Sequence, residues 1–238
     1  MPKLQDKIAK YNYKKNTFNS SNPLVRFSHQ KRLSISLELT PKPSKWLLDY
    51  GGGDGTFCHE FIKNHNNQDN IVLYEPYLAF GYEDNITIAR KWEEVISIVE
   101  ISGSPDVICI FEVMEHFTEK LQIRTINQIS NIIDRDGILI ISVPIEGGVP
   151  SLVKNLFRRL RYGGGSIYNF GHIVKSLFWM PIPEARSGDK YLTHMGFYYK
   201  DLVNLLEEKF NIVRIVSSPM RFMLRGLSSQ VFIVARPK

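Results

Sequence analysis

With 238 residues the chain is long enough for one large domain, or one domain with an elaborated cap, and for a proper core. A hydrophobic fraction of 43% and a charged fraction of 23% are ordinary for a globular protein, no apolar run approaches membrane-spanning length, and residues 1–15 are too polar for a signal peptide. The net charge of +6 is uneven: residues 1–45 carry ten Lys/Arg against Asp6 and Glu38, and residues 151–182 carry Lys154, Arg158, Arg159, Arg161 and Lys175 with no acid, which points to an anionic partner or substrate.

Residues 1–22 are rich in Asn and Lys and read as a loosely held arm. Residues 22–39 read as a helix, with Asn22 as cap, Pro23 at the first helical position and apolar residues at Leu24, Phe27, Leu33 and Leu37. "PKPSK" ends it, and 46–50 is a buried strand followed by glycines and a helix over 56–65. Strands follow at 70–76, 85–90 and 106–113, then an amphipathic helix over 118–134 with Leu121, Ile126, Ile129, Ile132 and Ile133 on its apolar face, then a strand at 137–144. From 145 to 190 the pattern lapses into an amphipathic basic helix, a "GGG" at 163–165 and several aromatics. Such a length inside a compact domain argues for a functional cap. A helix at 199–210 and strands at 211–218 and 229–236 close the chain.

Short apolar runs alternating with helices imply an α/β fold with a parallel sheet covered on both faces. The chain divides into an arm and helix over 1–45, a cofactor-binding half over 46–144, a cap over 145–195, and a closing segment over 196–238. Cys58 and Cys109 lie in apolar segments without disulfide or zinc spacing, so a reducing cytoplasm is the simplest location.

"LLDYGGGDGTF", residues 47–57, places four glycines within five positions behind Asp49. A triphosphate loop needs Lys then Ser/Thr after its glycines, and Thr56–Phe57 stand there instead; the dinucleotide fingerprint needs a glycine where Thr56 stands. What remains is D-x-G-x-G-x-G, formed by Asp49, Gly51, Gly53 and Gly55. An acid ahead of the glycines disfavours pyrophosphate and suits a cofactor with a cationic centre, an amino group and a ribose.

Four segments together resemble the class I S-adenosylmethionine-dependent methyltransferases over residues 22–236. "LLDYGGGDG" resembles the family's first motif, and "VLYEP" the second, in which Glu75 would accept both ribose hydroxyls, with Pro76 beside it. "DVICIFEVMEHF" resembles the fourth-strand motif of the small-molecule branch, and "HMGFYYKDLVNLLEEKF" its His-x-x-Phe segment. The resemblance implies a Rossmann-like, doubly wound, seven-stranded, mostly parallel sheet whose last strand is antiparallel, with a helical cap insertion, binding S-adenosylmethionine and releasing S-adenosylhomocysteine. After strand three the chain reads "ARKWEEV" in place of the usual acid–small pair, so Trp92 is the candidate to stack on adenine, against plain core filling.

In open α/β sheets the site lies beyond the carboxyl ends of the strands. That places Glu112, Glu115 and His116 after strand four, and Pro144, Ile145 and Glu146 after strand five. His116 is the first candidate for general base, against a structural role at a helix start; His194 is the second, with Glu115 beside them and Glu112 toward the cofactor. Glu112, Glu115 and His116 also resemble the metal sites of ubiquinone-type O-methyltransferases and small-RNA 3′-terminal 2′-O-methyltransferases, where a magnesium-like ion would polarise an acceptor hydroxyl; metal-free relatives share the spacing, and the primary reading omits the ion.

The acceptor is read from the cap. Aromatics suit sugar faces, and Arg158, Arg159 and Arg161 suit phosphate or carboxylate. "SVPIEGGVPSLVKNLFRRL" resembles segments of methyltransferases of surface-polysaccharide assembly, which implies a hydroxyl or amino group on a sugar, carried on a nucleotide or lipid diphosphate. Alternatives are an RNA methyltransferase with the basic segments as phosphate track, and a non-catalytic cofactor-binding scaffold. Leu156, Phe157, Leu160 and Phe178 with the arginines also suit peripheral contact with a membrane. The oligomeric state is left open by the sequence.

Overall fold

A computed structural model describes residues 21, 23–65, 70–77, 86–162, 169–180, 182, 194, 196–219 and 228–238. The expected arm, Asn22 and the 163–165 glycines lie outside them. Seven strands form one sheet in the order β3-β2-β1-β4-β5-β7-β6, six of them parallel and β7 antiparallel, as the sequence implied. The residues group into two compact units: the chain up to Phe111 with Ile132–Ile140, and Glu112–Asn131 with Ile141–Lys238. The expected cap, 145–195, belongs to the second.

In the first unit, helix α1 (Pro23–Leu39) starts on proline, whose missing N–H costs nothing there. Its buried residues are Ile35, Ser36 and Leu39, whereas Phe27 is exposed and Leu33 and Leu37 are half-buried. Among the described side chains the expected stripe is therefore displaced toward the last turns of α1, which meet the core. Thr40 Oγ1 donates to Ser36 O and lies 3.6 Å from Cys109 Sγ, tying the helix end to the sheet. Strand β1 (Leu47–Tyr50) is buried throughout and runs parallel to β2 (Ile71–Tyr74) and β4 (Val107–Phe111).

Asp106 sets the start of β1: its carboxylate accepts from Ser44 N and Oγ, Lys45 N and Trp46 N. Burial alone would raise that carboxyl, but the hydrogen bonds from Ser44 and Lys45 outweigh it and hold it below the usual range. Helix α2 (Thr56–His65) buries Thr56, Phe57, Cys58 and Phe61. Strand β3 is short, Thr87–Ala89, and pairs with β2.

Helix α3 (Trp92–Ser102) had no counterpart in the sequence reading. Its signal was "KWEE": Glu94 Oε2 accepts from Arg90 N and Lys91 N at the start of the helix, and Glu93 and Glu94 favour the positive end of the helix dipole.

The second unit begins where β4 ends. The strand expected to reach 113 stops at Phe111, because Glu112 turns into the left-handed region (φ 57°). A 3₁₀ turn, Met114–His116, follows, so His116 does not start an α-helix. Helix α4 (Glu119–Ile132) buries Ile126, Ile129 and Ile132, while Leu121 is exposed; buried Gln122 and Thr125 take part of the expected face. Gln122 Nε2 donates to Met114 O, pinning the 3₁₀ turn.

Strand β5 (Ile138–Pro144) leads into α5 (Gly148–Tyr162) and α6 (Phe170–Leu177), the latter capped by Asn169 Oδ1 on His172 N. Helix α7 (Tyr199–Leu206) is shorter than expected because the chain turns through 207–209 to bury Phe210 at the head of β6 (Phe210–Ser218). β6 pairs antiparallel with β7 (Gln230–Pro237), register Phe210↔Pro237 to Ser218↔Gln230, with an irregularity between Ile212 and Arg214.

Candidate functional site

In the first unit the chain leaves β1 through residues 51–55. Gly51, Gly53 and Gly55 have φ of 72°, 60° and 71°, a region costly to any residue with a Cβ. Gly52 is required for a different reason. A Cβ there would stand 2.1 Å from Asp49 Oδ2 and 2.3 Å from Leu73 Cδ1, so the turn lies directly on the Asp49 carboxylate. The alternating motif passed over Gly52; only the fold shows what it meets.

Asp49 is fully buried. Cys58 Sγ donates to its Oδ2 at 3.2 Å, and Oδ1 has no hydrogen-bond partner among the described residues. Burial pushes its carboxyl up to about 7; the Cys58 hydrogen bond opposes the rise and the charge of Glu75 adds to it. Glu75, just past β2, accepts from Gly53 N at 3.2 Å on Oε2 and from Tyr77 N at 2.9 Å on Oε1. The second acid thus buttresses the turn that the first one underlies.

Pro76 is exposed beside Glu75. Trp92 opens α3, and its ring lies 5.9 Å from that of Tyr50 and 5.6 Å from that of Tyr74, the last residues of β1 and β2. Two acids and four closely spaced glycines make this turn repel pyrophosphate and accept a close, cationic ligand, so the residues fit the cofactor the sequence implied.

In the second unit, Glu115 is fully buried and His116 exposed, with Glu115 Oε1 4.0 Å from His116 Nε2. His116 Nε2 faces His194 Nε2 at 3.3 Å, the two rings close to edge-on at 67°. On its other side His194 Nδ1 lies 3.6 Å from Glu146 Oε1. The order is therefore Glu115, His116, His194, Glu146.

Glu146 is fully buried and also binds Lys154 Nζ, with Arg158 Nη1 3.7 Å from its Oε2. Burial alone would raise its carboxyl, but Lys154, His194 and Arg158 outweigh it and hold it at about 2. Its backbone carbonyl accepts from Ser151 Oγ and Ser176 Oγ, and Asn155 Nδ2 donates to Ser151 Oγ, so both cap helices hang on this residue.

One expectation and one alternative change. Arg158 was read as a phosphate or carboxylate holder for the acceptor; it is turned onto Glu146. The trio of Glu112, Glu115 and His116, raised only as a metal-site alternative, is not the group whose ligand atoms come together among the described residues. Ligand atoms of Glu115, His116 and His194 lie within 4.8 Å of one another, while Glu112 Oε1 accepts from Gln230 Nε2 and Ser142 Oγ. Glu146 was placed at the site without a role, and Lys154, Ser142 and Gln230 were not among the chosen site residues.

A doubly wound sheet with an acid–glycine turn after β1 and an acid after β2 is the architecture of class I methyltransferases. The chain belongs to the methyltransferase-domain family, whose profile matches residues 26–207. Solved structures share the fold at low identity. The N-methyltransferase NodS from Bradyrhizobium japonicum WM9, in complex with S-adenosylhomocysteine, gives a TM-score of 0.53 at 12% identity over 99% of this chain and 97% of that one. Magnesium protoporphyrin IX methyltransferase (ChlM) from Synechocystis PCC 6803, with the same molecule bound, gives 0.54 at 12% over 100% and 99%. CalO1, a methyltransferase in calicheamicin biosynthesis, also bound to it, gives 0.51 at 13% over 88% of this chain, which spans 54% of that one. No curated protein matches the sequence.

Proposed function

We propose that this methyltransferase uses S-adenosylmethionine to methylate a hydroxyl or amino group of a small molecule, a sugar or glycan precursor in the first instance. The observation that carries the cofactor is the close packing of Gly52 on buried Asp49, with Glu75 bonded to Gly53 N. In this reading the glycines admit the methionyl part, Glu75 takes the ribose hydroxyls, and the Tyr50–Tyr74–Trp92 cluster offers a face for adenine. Asp49 reaches no surface, so it acts through the shape of the turn and through its charge.

The cofactor supplies a methyl group on a positively charged sulfur, an intrinsically good leaving group. The protein then has to align the acceptor's lone pair and take up its proton. Buried Glu146 beside His194 Nδ1 favours a proton there, which leaves the His194 Nε2 lone pair facing His116. His116 Nε2–H donates into it, so the lone pair of the His116 ring resides on Nδ1. We assign that atom as general base, with His194 and Glu146 as positioning residues. Glu115, close to His116 Nε2, supports the imidazolium that forms. The sugar reading is supported by the aromatics of the cap and by the polysaccharide-type resemblance of residues 142–160.

The test is calorimetric titration with S-adenosylmethionine and S-adenosylhomocysteine, followed by a panel of sugar acceptors. Wild type is expected to bind both at micromolar concentrations, Glu75→Ala neither, and His116→Ala both as wild type but with turnover lower by about 100-fold. Unchanged affinity in Glu75→Ala removes the cofactor assignment, and full turnover in His116→Ala returns that residue to a structural role.

A further inference from the structure

Glu75 is buried one residue beyond β2, at the point where the regular ladder of the sheet gives out. Tyr74 pairs in register with Ala89, so Glu75 stands opposite Arg90. Its N–H still donates to Ala89 O at 3.0 Å. In a parallel ladder the carbonyl of such a residue accepts from the residue after its opposite number, here Lys91 N. That donor is withdrawn. Glu94 Oε2 takes Arg90 N at 2.6 Å and Lys91 N at 3.4 Å, and the chain turns into α3.

The side chain of Arg90 replaces the missing donor. From a half-buried position its Nη1 donates to Glu75 O at 2.8 Å. A buried carbonyl without a donor is costly, and a guanidinium bonds one more strongly than an amide does. The main chain of Glu75 is therefore held on both its N–H and its carbonyl from the end of β3. Its carboxylate is held separately, by Gly53 N on Oε2 and Tyr77 N on Oε1. A short acidic side chain whose backbone drifts carries its oxygens with it, so the main-chain grip decides where they can meet a ligand.

We propose that Arg90 is a positioning residue for the cofactor's ribose: by holding the Glu75 carbonyl it sets where the Glu75 carboxylate meets the two hydroxyls. This rests on the reading of Glu75 as the acceptor for those hydroxyls.

Calorimetry would compare S-adenosylhomocysteine with its 2′,3′-dideoxy analogue on wild type, Arg90→Ala and Arg90→Lys. Wild type is expected to bind the analogue at least about tenfold more weakly, as befits lost hydrogen bonds to a charged group. Arg90→Ala should bind S-adenosylhomocysteine about tenfold more weakly than wild type does, yet bind the analogue as wild type does, with unchanged circular dichroism. Arg90→Lys keeps a cationic donor and guards against an alanine variant that does not fold; it should show the same pattern at about threefold. If wild type discriminates the two ligands while the Arg90 variants are unchanged, or weakened equally on both, the role of Arg90 is overturned and that of Glu75 stands. Wild type binding both ligands equally removes the ribose role of Glu75 and that of Arg90 with it, and wild type binding neither removes the cofactor reading itself.

Discussion

Substituting Asp49 by asparagine separates the charge of this residue from its shape. The carboxyl is wholly buried, its hydrogen bond comes from a thiol, and its pKa stands at about 7 against 3.8 for the ordinary group. An acid raised on folding binds a proton in the folded state that the unfolded chain has already released. The associated stability is fully present below about pH 4 and is lost as pH rises through about 7, a total of about 4 kcal/mol at 1.36 kcal/mol per unit. Asparagine keeps the volume beside Gly52 without the ionisation. Urea unfolding of wild type and Asp49→Asn across pH 4 to 8 gives the difference, in which other titrating groups cancel. Glu146 is one of these, and its contribution runs in the opposite sense, disappearing as pH falls toward about 2. Asp49→Asn should become the more stable protein by pH 8. A difference that stays flat across the range refutes the argument, because the buried charge would then cost nothing. The charge has a second consequence under the proposed function. Asp49 ionised favours a cationic ligand, so affinity for S-adenosylmethionine relative to S-adenosylhomocysteine should rise as pH passes about 7.

Gly52→Ala drives a Cβ into the Asp49 carboxylate and Leu73, and should cost about 1–3 kcal/mol of stability and at least about tenfold in S-adenosylhomocysteine affinity by calorimetry. Gly53→Ala meets no atom of the described residues within 4 Å and is the control for stability alone, losing only about 1 kcal/mol to its φ of 60°. Glu146→Gln leaves Lys154 and Arg158 against a neutral amide, for an expected loss of about 2–4 kcal/mol in urea unfolding, and lowers turnover on any acceptor that wild type accepts. Wild-type stability in that variant would mean the two cations contribute nothing to holding the cap helices.

The sheet was legible in the sequence because its order rests on short-range signals: apolar runs of strand length, the glycine turn behind Asp49, and caps at helix starts. What was lost lay where tertiary contact overrides pattern. The apolar stripe of α1 pointed to Phe27 and Leu33, yet among its described side chains the buried apolar ones are Ile35 and Leu39. Strand β4 ended early because Glu112 adopts a left-handed conformation, which no apolar count reveals.

The candidate site shows the same limit more sharply. His116 and Glu115 could be chosen from one motif, since three or four residues of chain fix their relation. Glu146 could be placed beyond strand five but given no role, because a carboxylate after a strand is ordinarily solvated. Its role exists only because Lys154 and Arg158, one turn apart on α5, present two cations to it, and His194 arrives from 48 positions away. Burial of that carboxylate is tolerable only with its partners in place, so the cap helix and the histidine pair depend on the same residue. A chain that lost the pairing would lose the geometry of His194 together with the packing of α5, which is why Glu146→Gln is expected to affect stability and turnover together.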